Sequence, residues 1–230
     1  MILIKPLYKN MYTKTLHKKA EDMREEDKLL DALKLYEEVI YKYQQEKNYS
    51  ALIEALGGRC LTYKHLFLLS KDFVFFNLAL HSALSSLEIA KNYKIILKIH
   101  RCYFRLGEME MLANNFLKAE KYYLKAFIKY PREEAEKGDF QYHLGEAQFR
   151  AGKKDEGLKN LLAGLELIKK YKSSTDSFVY NVWHSGCLMR LAELTKNKKY
   201  LLEAQEIIDS DPRLIIRKRQ IAHFVLRNKG

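Results

Sequence analysis

The 230-residue sequence predicts an all-α fold, and its composition and periodicity are the first two observations behind that prediction. Only 3 prolines and 10 glycines occur, so long uninterrupted helices can form. Apolar residues recur at helical spacing, as in Leu29, Leu33 and Tyr36, and strand-like alternation is almost absent. A hydrophobic content of 47% is enough to bury a core at this length. We predict eleven helices, arranged as five pairs and one final helix.

A repeated spacing of small residues is the third observation, and it orders the helices into pairs. Gly107 and Ala119 are 12 residues apart, and small side chains at such positions allow two helices to cross closely. The same spacing of 12 separates three more pairs: Ala20 and Ala32, Gly145 and Gly157, and Ala192 and Ala204. The spacing therefore predicts four helix crossings in register along the chain.

The third pair carries the fullest version of the pattern. It contains, in order, Tyr103, Leu106-Gly107, Ala119, Tyr123, Ala126 and Pro131. This segment resembles the tetratricopeptide repeat (TPR), a helix-turn-helix unit. The resemblance spans roughly residues 13–211, and it implies a right-handed α-solenoid of about five TPR-like helix pairs plus a C-terminal capping helix. It also implies a concave groove, lined by the first helices, that holds extended peptides.

The breaks between helices give the expected boundaries in chain order. The predicted segments are an N-terminal tail (1–12), five repeats (13–47, 48–92, 93–131, 132–172 and 174–211) and a basic capping helix (212–230). In the second repeat, Leu56-Gly57 marks the first helix and Ala79 the second. Their separation (79 − 57 = 22) exceeds 12, so both helices are expected to be longer there. No linker long enough to separate domains occurs, so one continuous stack is expected.

The final helix is expected to cover the last pair, with Leu214 and Ile221 turned inward and Arg217 and Lys218 outward. The alternative is a basic amphipathic helix that binds an acidic partner or a membrane surface. Pro131 and Pro212 both suit helix boundaries, because proline lacks the N–H group that a helix interior uses.

Cysteine usage and hydropathy indicate the compartment. Cys60, Cys102 and Cys187 are odd in number and widely spaced, which favours buried reduced thiols over disulfides or a zinc site. No apolar run is long enough for a signal peptide or a transmembrane span. A cytoplasmic protein without a membrane span is therefore expected.

No convincing catalytic constellation occurs in the sequence. The seven histidines are scattered, and there is no Gly-rich phosphate loop or Cys-x-x-Cys motif. His100, His143 and His184 fall on the first helices of successive repeats, where they could approach one another. Single helical histidines are more often structural than metal ligands. We therefore expect no enzymatic activity, no cofactor and no metal.

The resemblance places candidate peptide-binding residues on the first helices of the third and fourth repeats. Spacings of 3 and 4 put residues on one helix face. The candidates are Arg101, Phe104, Glu108, Met111, Tyr142, Glu146 and Phe149. The aromatic side chains are expected to be exposed anchors in one connected surface.

A glutamate recurs at the same groove position in four repeats: Glu21, Glu108, Glu146 and Glu193. Chaperone-docking members of the family use lysine, asparagine and arginine in the groove to clamp a C-terminal carboxylate. Glu21, Glu108 and Glu146 replace the expected asparagine, which argues against that role. Two interpretations stay open. The glutamates either face a partner or form local ion pairs with the basic residues three positions earlier: Lys18, Arg105, His143 and Arg190.

The formal net charge is +12, and part of it lies in a row on one helix. Lys118, Lys121, Lys125 and Lys129 are spaced by 3, 4 and 4 residues, so they share one face of a second helix. This row is either a solvated surface or a basic convex face that attracts phosphate backbones. The functional expectation is a non-catalytic protein- or peptide-binding scaffold, with a nucleic-acid-associated protein as the alternative. The partner's identity and the oligomeric state are left open by the sequence.

Overall fold

The computed structural model describes residues 4–227, and the side chains of 11–226. Eleven α-helices follow one another in this part of the chain, as predicted. Their bounds are α1 Ile4–Glu25, α2 Leu29–Gln45, α3 Tyr49–Ser70, α4 Phe73–Asn92, α5 Ile99–Leu112, α6 Phe116–Lys129, α7 Ala135–Arg150, α8 Lys154–Lys170, α9 Ser177–Thr195, α10 Lys198–Ser210 and α11 Ile215–Arg227. Two short 3-10 helices, Ile96–Lys98 and Lys172–Ser174, precede α5 and α9.

The chain divides into two compact units. Unit 1 comprises Met1–Met109 and unit 2 comprises Glu110–Gly230, so the boundary falls within α5. Within each unit, helices that are adjacent in sequence contact each other, such as α1 and α2, α3 and α4, or α7 and α8. The continuous solenoid that the repeat pattern implies stays a prediction.

Unit 1 is built around the contacts of α2 with α1 and α3. Ala20 of α1 and Ala32 of α2 are completely buried, together with Tyr36 and Val39. α1 begins at Ile4, so residues 4–12 extend the first helix instead of forming the separate tail predicted from the sequence. α3 and α4 are 22 and 20 residues long, which confirms the expected lengthening of the second pair.

The small residue that α3 uses for close packing is Gly58, not Gly57 as the sequence indicated. A Cβ atom on Gly58 would lie 2.4 Å from the hydroxyl oxygen of Tyr36, whereas one on Gly57 would meet only Arg105 Nε at 3.9 Å. Gly58 therefore accommodates an aromatic ring of α2. A one-residue shift moves a side chain by about 100° around a helix, since one turn takes about 3.6 residues.

Unit 2 contains a helix crossing with close backbone contact, between α7 and α8. A Cβ atom on Gly145 would lie 2.6 Å from the Gly157 carbonyl oxygen, and one on Gly138 would lie 2.7 Å from that of Gly164. The 12-residue spacing of Gly145 and Gly157 thus marks a true crossing. Gly138 forms a second close approach that the spacing did not reveal.

The turns between helices are short, and most contain one residue with positive φ. Six of these residues are not glycine, with φ between 52° and 62°: Asp27, Lys47, Lys71, Lys94, Asn114 and Lys196. The turn between α7 and α8 instead uses Gly152, with φ of 94°. A residue in the left-handed conformation just after a helix can donate its backbone N–H group to one of the unpaired carbonyl oxygens of the last turn. For example, the Lys71 N–H donates to the Phe67 carbonyl.

α11 covers the end of unit 2, as the capping interpretation predicted. Leu214, Ile216 and Ile221 are buried in the junction and in α11, whereas Arg213 and Lys218 are exposed. The expectation that Arg217 faces outward is wrong, because this half-buried side chain donates to the Val182 carbonyl of α9. Pro212 lies between α10 and α11, at the predicted boundary.

In the described part of the chain, one helix, α4, has the length and apolar composition that a membrane-spanning helix needs. A single helix of this kind is weak evidence for a membrane span, because core helices pass the same test. In this structure α4 contacts α3.

Candidate functional site

The predicted groove residues fall into both units. Arg101, Phe104 and Glu108 lie on the part of α5 that belongs to unit 1. Met111 and the three α7 residues, Tyr142, Glu146 and Phe149, belong to unit 2. Each group is therefore described within its own unit.

Phe104 and Tyr142 are not exposed anchors. Phe104 is 4% exposed and Tyr142 is 2% exposed. Tyr142 lies in a core cluster with Leu161, Ile168 and Cys187. α7 contacts α6, α8 and α9, so residues on more than one of its faces are covered. The expectation of one connected exposed aromatic surface is wrong for these two rings, whereas Met111 and Phe149 remain half-buried.

Two of the recurring glutamates are buried and bound by cations from their own unit. In unit 1, Glu108 accepts a hydrogen bond from Arg105 Nη1 at 2.5 Å and another from Lys64 Nζ. Of the two interpretations left open by the sequence, local pairing therefore applies to Arg105 and Glu108. Burial lowers the pKa of Arg105, but the Glu108 carboxylate outweighs it and raises the pKa overall.

In unit 2, Glu146 lies at the centre of a network that joins α7 and α9. It accepts from Arg150 Nε at 3.0 Å and from Arg190 Nε at 2.9 Å. Arg150 Nη2 also donates to Glu193 at 2.8 Å. We call these four residues, Glu146, Arg150, Arg190 and Glu193, the α7–α9 charged strip. Glu146 is buried, whereas the other three side chains are a quarter to a third exposed.

The charged strip is electrostatically satisfied. The Glu146 carboxylate raises the pKa of Arg190. Burial raises the pKa of the Glu193 carboxyl, but Arg150 reverses this effect and holds that pKa below its usual value. The formal charges of the four side chains, two carboxylates and two guanidinium groups, sum to zero.

The basic residues that precede the other three glutamates contact different acids. Lys18 binds Asp22 at 2.6 Å, and His143 lies 3.8 Å from Asp139. Arg190 binds Glu146 of the neighbouring first helix instead of Glu193. Glu21 is half-buried and raises the pKa of His17 against the larger, lowering effect of burial. The glutamates thus connect helices more often than they pair within one.

Arg150 and Glu54 are functional candidates that the sequence reasoning missed. Glu54 of α3 binds Arg101 Nη1 at 3.1 Å and Lys98 Nζ at 2.5 Å, so Arg101 is engaged within unit 1. A signal for Arg150 was present, because it follows Glu146 by four residues in the favourable acid-before-base order. No short-range signal identifies Glu54, since its partners are more than 40 positions away.

α11 packs against α9 at Gly186. A Cβ atom on Gly186 would lie 2.7 Å from Arg217 Nη2 and 2.9 Å from the Tyr142 hydroxyl oxygen. Arg217 Nη2 also donates to the Val182 carbonyl at 3.0 Å. The capping helix therefore covers α9 near its middle, and the α9 members of the charged strip, Arg190 and Glu193, lie nearer its C-terminal end.

The predicted lysine row on α6 is exposed, as a basic surface requires. All four side chains, Lys118, Lys121, Lys125 and Lys129, are accessible. Lys118 Nζ lies 2.6 Å from Glu110, and Lys125 Nζ lies 5.9 Å from the centre of the Tyr122 ring. The opposite side of α6 buries Ala119 and Ala126.

The histidines and cysteines occupy separate environments. His184 Nε2 lies 3.5 Å from Glu203, and the described residues contain no group of three His, Cys, Asp or Glu side chains that could hold a metal ion. Cys60, Cys102 and Cys187 are free and buried, as predicted. Burial raises the pKa of the Cys60 thiol to about 12, so that thiol stays protonated at neutral pH.

No family model matches this chain, and no curated protein matches it at a significant level.

Proposed function

We propose that this chain is a non-catalytic scaffold that binds a protein or peptide segment. In this proposal the helix pairs stack as a right-handed TPR-like solenoid, and the first helices line its concave groove. The α7–α9 charged strip is the observation that carries the proposal. It joins the first helices of two successive pairs and leaves three charged side chains partly accessible.

The chemistry of the strip favours an extended segment that offers carbonyl or carboxylate oxygens. A guanidinium group has five N–H donors. The hydrogen bonds to Glu146 and Glu193 use two donors of Arg150, and the bond to Glu146 uses one of Arg190. Because Glu146 is buried and accepts from both arginines, we assign recognition to the arginines and not to the glutamates. The half-buried ring of Phe149 supplies adjacent apolar surface.

A peptide-display selection against the full chain tests this proposal. We expect selected peptides to bind at one site per chain, and Arg190→Gln to weaken binding roughly tenfold through loss of a charged donor. This variant keeps Glu146 paired with Arg150. Lys170→Gln, an exposed change on α8, serves as the matched control. A photo-crosslinker at Phe149 should label the peptide, and one at the exposed Leu202 should not.

Failure to select any peptide that binds at one site would contradict the scaffold proposal. Peptides that bind Arg190→Gln as tightly as the parent would instead place the binding surface elsewhere in the molecule.

The second candidate function is association with nucleic acid through the lysine row of α6. The exposure of all four lysines supports it. Phosphate binding releases counterions, so the affinity should fall steeply as the salt concentration rises. An electrophoretic mobility shift at several salt concentrations tests it, and the absence of any shift at low salt would exclude it.

A further inference from the structure

The outward side of α6 carries an apolar ridge beside its lysine row. The ridge consists of Leu117, Leu124 and Ile128, and Leu117 is 61% and Ile128 is 70% exposed. Its members are spaced by 7 and 4 residues, which places them along one line of the helix. α6 also has an inward apolar side, formed by Ala119, Tyr123 and Ala126. The outward ridge is therefore additional to the surface that α6 needs for its own packing.

Lysines predominate around the ridge. Each ridge residue is followed directly by a lysine: Lys118, Lys125 or Lys129. Lys121 follows Leu117 by four residues, one helical turn later, so the four lysines flank the ridge on one side. Glu120 is the acidic residue of α6, and it points inward, where Lys153 Nζ binds it at 2.6 Å. Beyond the end of the helix, Glu133 is paired with Lys137. Glu110 pairs with Lys118 at 2.6 Å, so the positive charge of the surface rests mainly on Lys121, Lys125 and Lys129. The surface thus combines aliphatic side chains with an excess of positive charge.

We propose that this face of α6 lies on an anionic lipid bilayer. Helices that lie in the membrane interface insert aliphatic side chains below the headgroups, while flanking lysines attract the negative surface. Long lysine side chains can also bury their methylene groups and keep the ammonium group at the headgroup level. The ridge and the lysine row of α6 match both requirements.

Two other occupants fit the surface less well. Nucleic acid would use the lysines but not the leucine and isoleucine side chains, because bases stack on aromatic rings and phosphates need cations. In a two-fold pairing with a second copy, the same patch is used twice, so two lysine rows would approach each other. Like charges at close range oppose that arrangement. An anionic membrane satisfies the apolar and the charged parts of the face together.

Vesicle co-sedimentation of the full chain tests the proposal. We expect binding to vesicles of phosphatidylcholine mixed with phosphatidylserine, and much weaker binding to phosphatidylcholine alone. The triple variant Leu117→Ser, Leu124→Ser and Ile128→Ser should bind the mixed vesicles at least about tenfold more weakly. Lys121→Ser combined with Lys129→Ser should also weaken binding by about tenfold. Both variants should melt like the parent, since the altered side chains are exposed.

Leu30→Ser combined with Leu202→Ser provides the control, because these two leucines are exposed on other helices. It should leave vesicle binding unchanged. Four results would overturn the proposal. In the first, the parent does not sediment with the mixed vesicles. In the second, the triple variant binds them as well as the parent. In the third, the lysine changes alter only a mobility shift with RNA and leave vesicle binding unchanged. In the fourth, light scattering shows a dimer that the triple variant dissociates, so the ridge is an interface between copies.

This inference uses residues separate from the α7–α9 charged strip, so each proposal can fail without the other. Vesicle binding should be unaffected by Arg190→Gln, and peptide binding should be unaffected by the triple serine variant.

Discussion

The contact of α2 with α3 in unit 1 and the α7–α8 crossing in unit 2 both depend on glycine, but the glycines make room for different groups. Gly58 makes room for the Tyr36 ring, whereas Gly145 and Gly157 make room for each other's backbone. The Tyr36 hydroxyl also accepts a hydrogen bond from Arg24 Nη1 at 3.1 Å. A side chain can rotate away from a new methyl group, but a helix backbone can move only with the whole helix. Tolerance to substitution should therefore differ between the two contacts.

The largest effect should follow one added methyl group at the α7–α8 crossing. Gly145→Ala places Cβ 2.6 Å from both the Gly157 carbonyl oxygen and the Leu161 amide nitrogen. We expect a loss of about 3 kcal/mol or more in the free energy of unfolding, measured by urea denaturation. In unit 1, Ala32→Gly removes a methyl group instead of adding one. It should lower the free energy of unfolding by about 1–2 kcal/mol, because methyl burial and helix propensity are lost. Equal effects would contradict the proposed difference.

The neighbouring glycines of α3 provide the next test. Gly58→Ala should destabilise the protein by about 1–3 kcal/mol, because the buried Tyr36 ring must shift. Gly57→Ala has space for its methyl group and should be neutral or stabilising by up to about 1 kcal/mol. Thermal unfolding of the two variants compares adjacent positions in one helix. If Gly57→Ala were the more harmful change, the packing described for α3 would be incorrect.

One histidine in each unit, buried His184 and half-buried His17, gives a third comparison, based on pH. Burial lowers the pKa of His184 to about 4 from the usual 6.5, although Glu203 opposes this effect. The unfolded chain therefore binds more protons than the folded chain between pH 4 and 6.5, and stability should fall as the pH decreases through that range.

We expect His184→Gln to remove about 1–3 kcal/mol of this pH-dependent change, as measured by urea unfolding between pH 4 and pH 7.5. His17→Gln should remove less, because His17 is half-buried, although burial lowers its pKa as well. The exposed His223 is the control. A pH profile that is unchanged in His184→Gln would show that this imidazole does not cause the acid sensitivity.

The smallest effects should come from the turns. Lys47 has φ of 52° in unit 1, and Gly152 has φ of 94° in unit 2. Lys47→Gly should stabilise the protein by up to about 1 kcal/mol, and Gly152→Ala should destabilise it by about 1 kcal/mol. Differential scanning calorimetry should show melting temperatures that move in opposite directions. A shift of both in the same direction would indicate that backbone strain does not control these turns.

The parts of the fold that could be predicted from the sequence are those set by local spacing. The 12-residue interval identified the Gly145–Gly157 crossing, and short polar breaks gave the eleven helices. The surroundings of each helix face could not be predicted in this way. Tyr142 lies at the spacing expected for a groove residue, yet its side chain is buried in the core, because other helices pack on several sides of α7. The ion pair of Glu146 with Arg150 could be predicted from their spacing of four residues. The pair with Arg190 could not, because Arg190 is 44 positions from Glu146 and reaches it only in the folded chain.

The central claim is that Gly145 and Gly157 are in direct backbone contact at one helix crossing. A double-mutant cycle with Gly145→Ala and Gly157→Ala tests it most directly, with a stabilising osmolyte added so that all four proteins stay folded. Either methyl group alone forces the helices apart, so the second should add little. We predict a free energy of unfolding for the double variant that differs from the sum of the single changes by more than about 1 kcal/mol. Additivity within about 0.5 kcal/mol would show that the two glycines do not share one crossing.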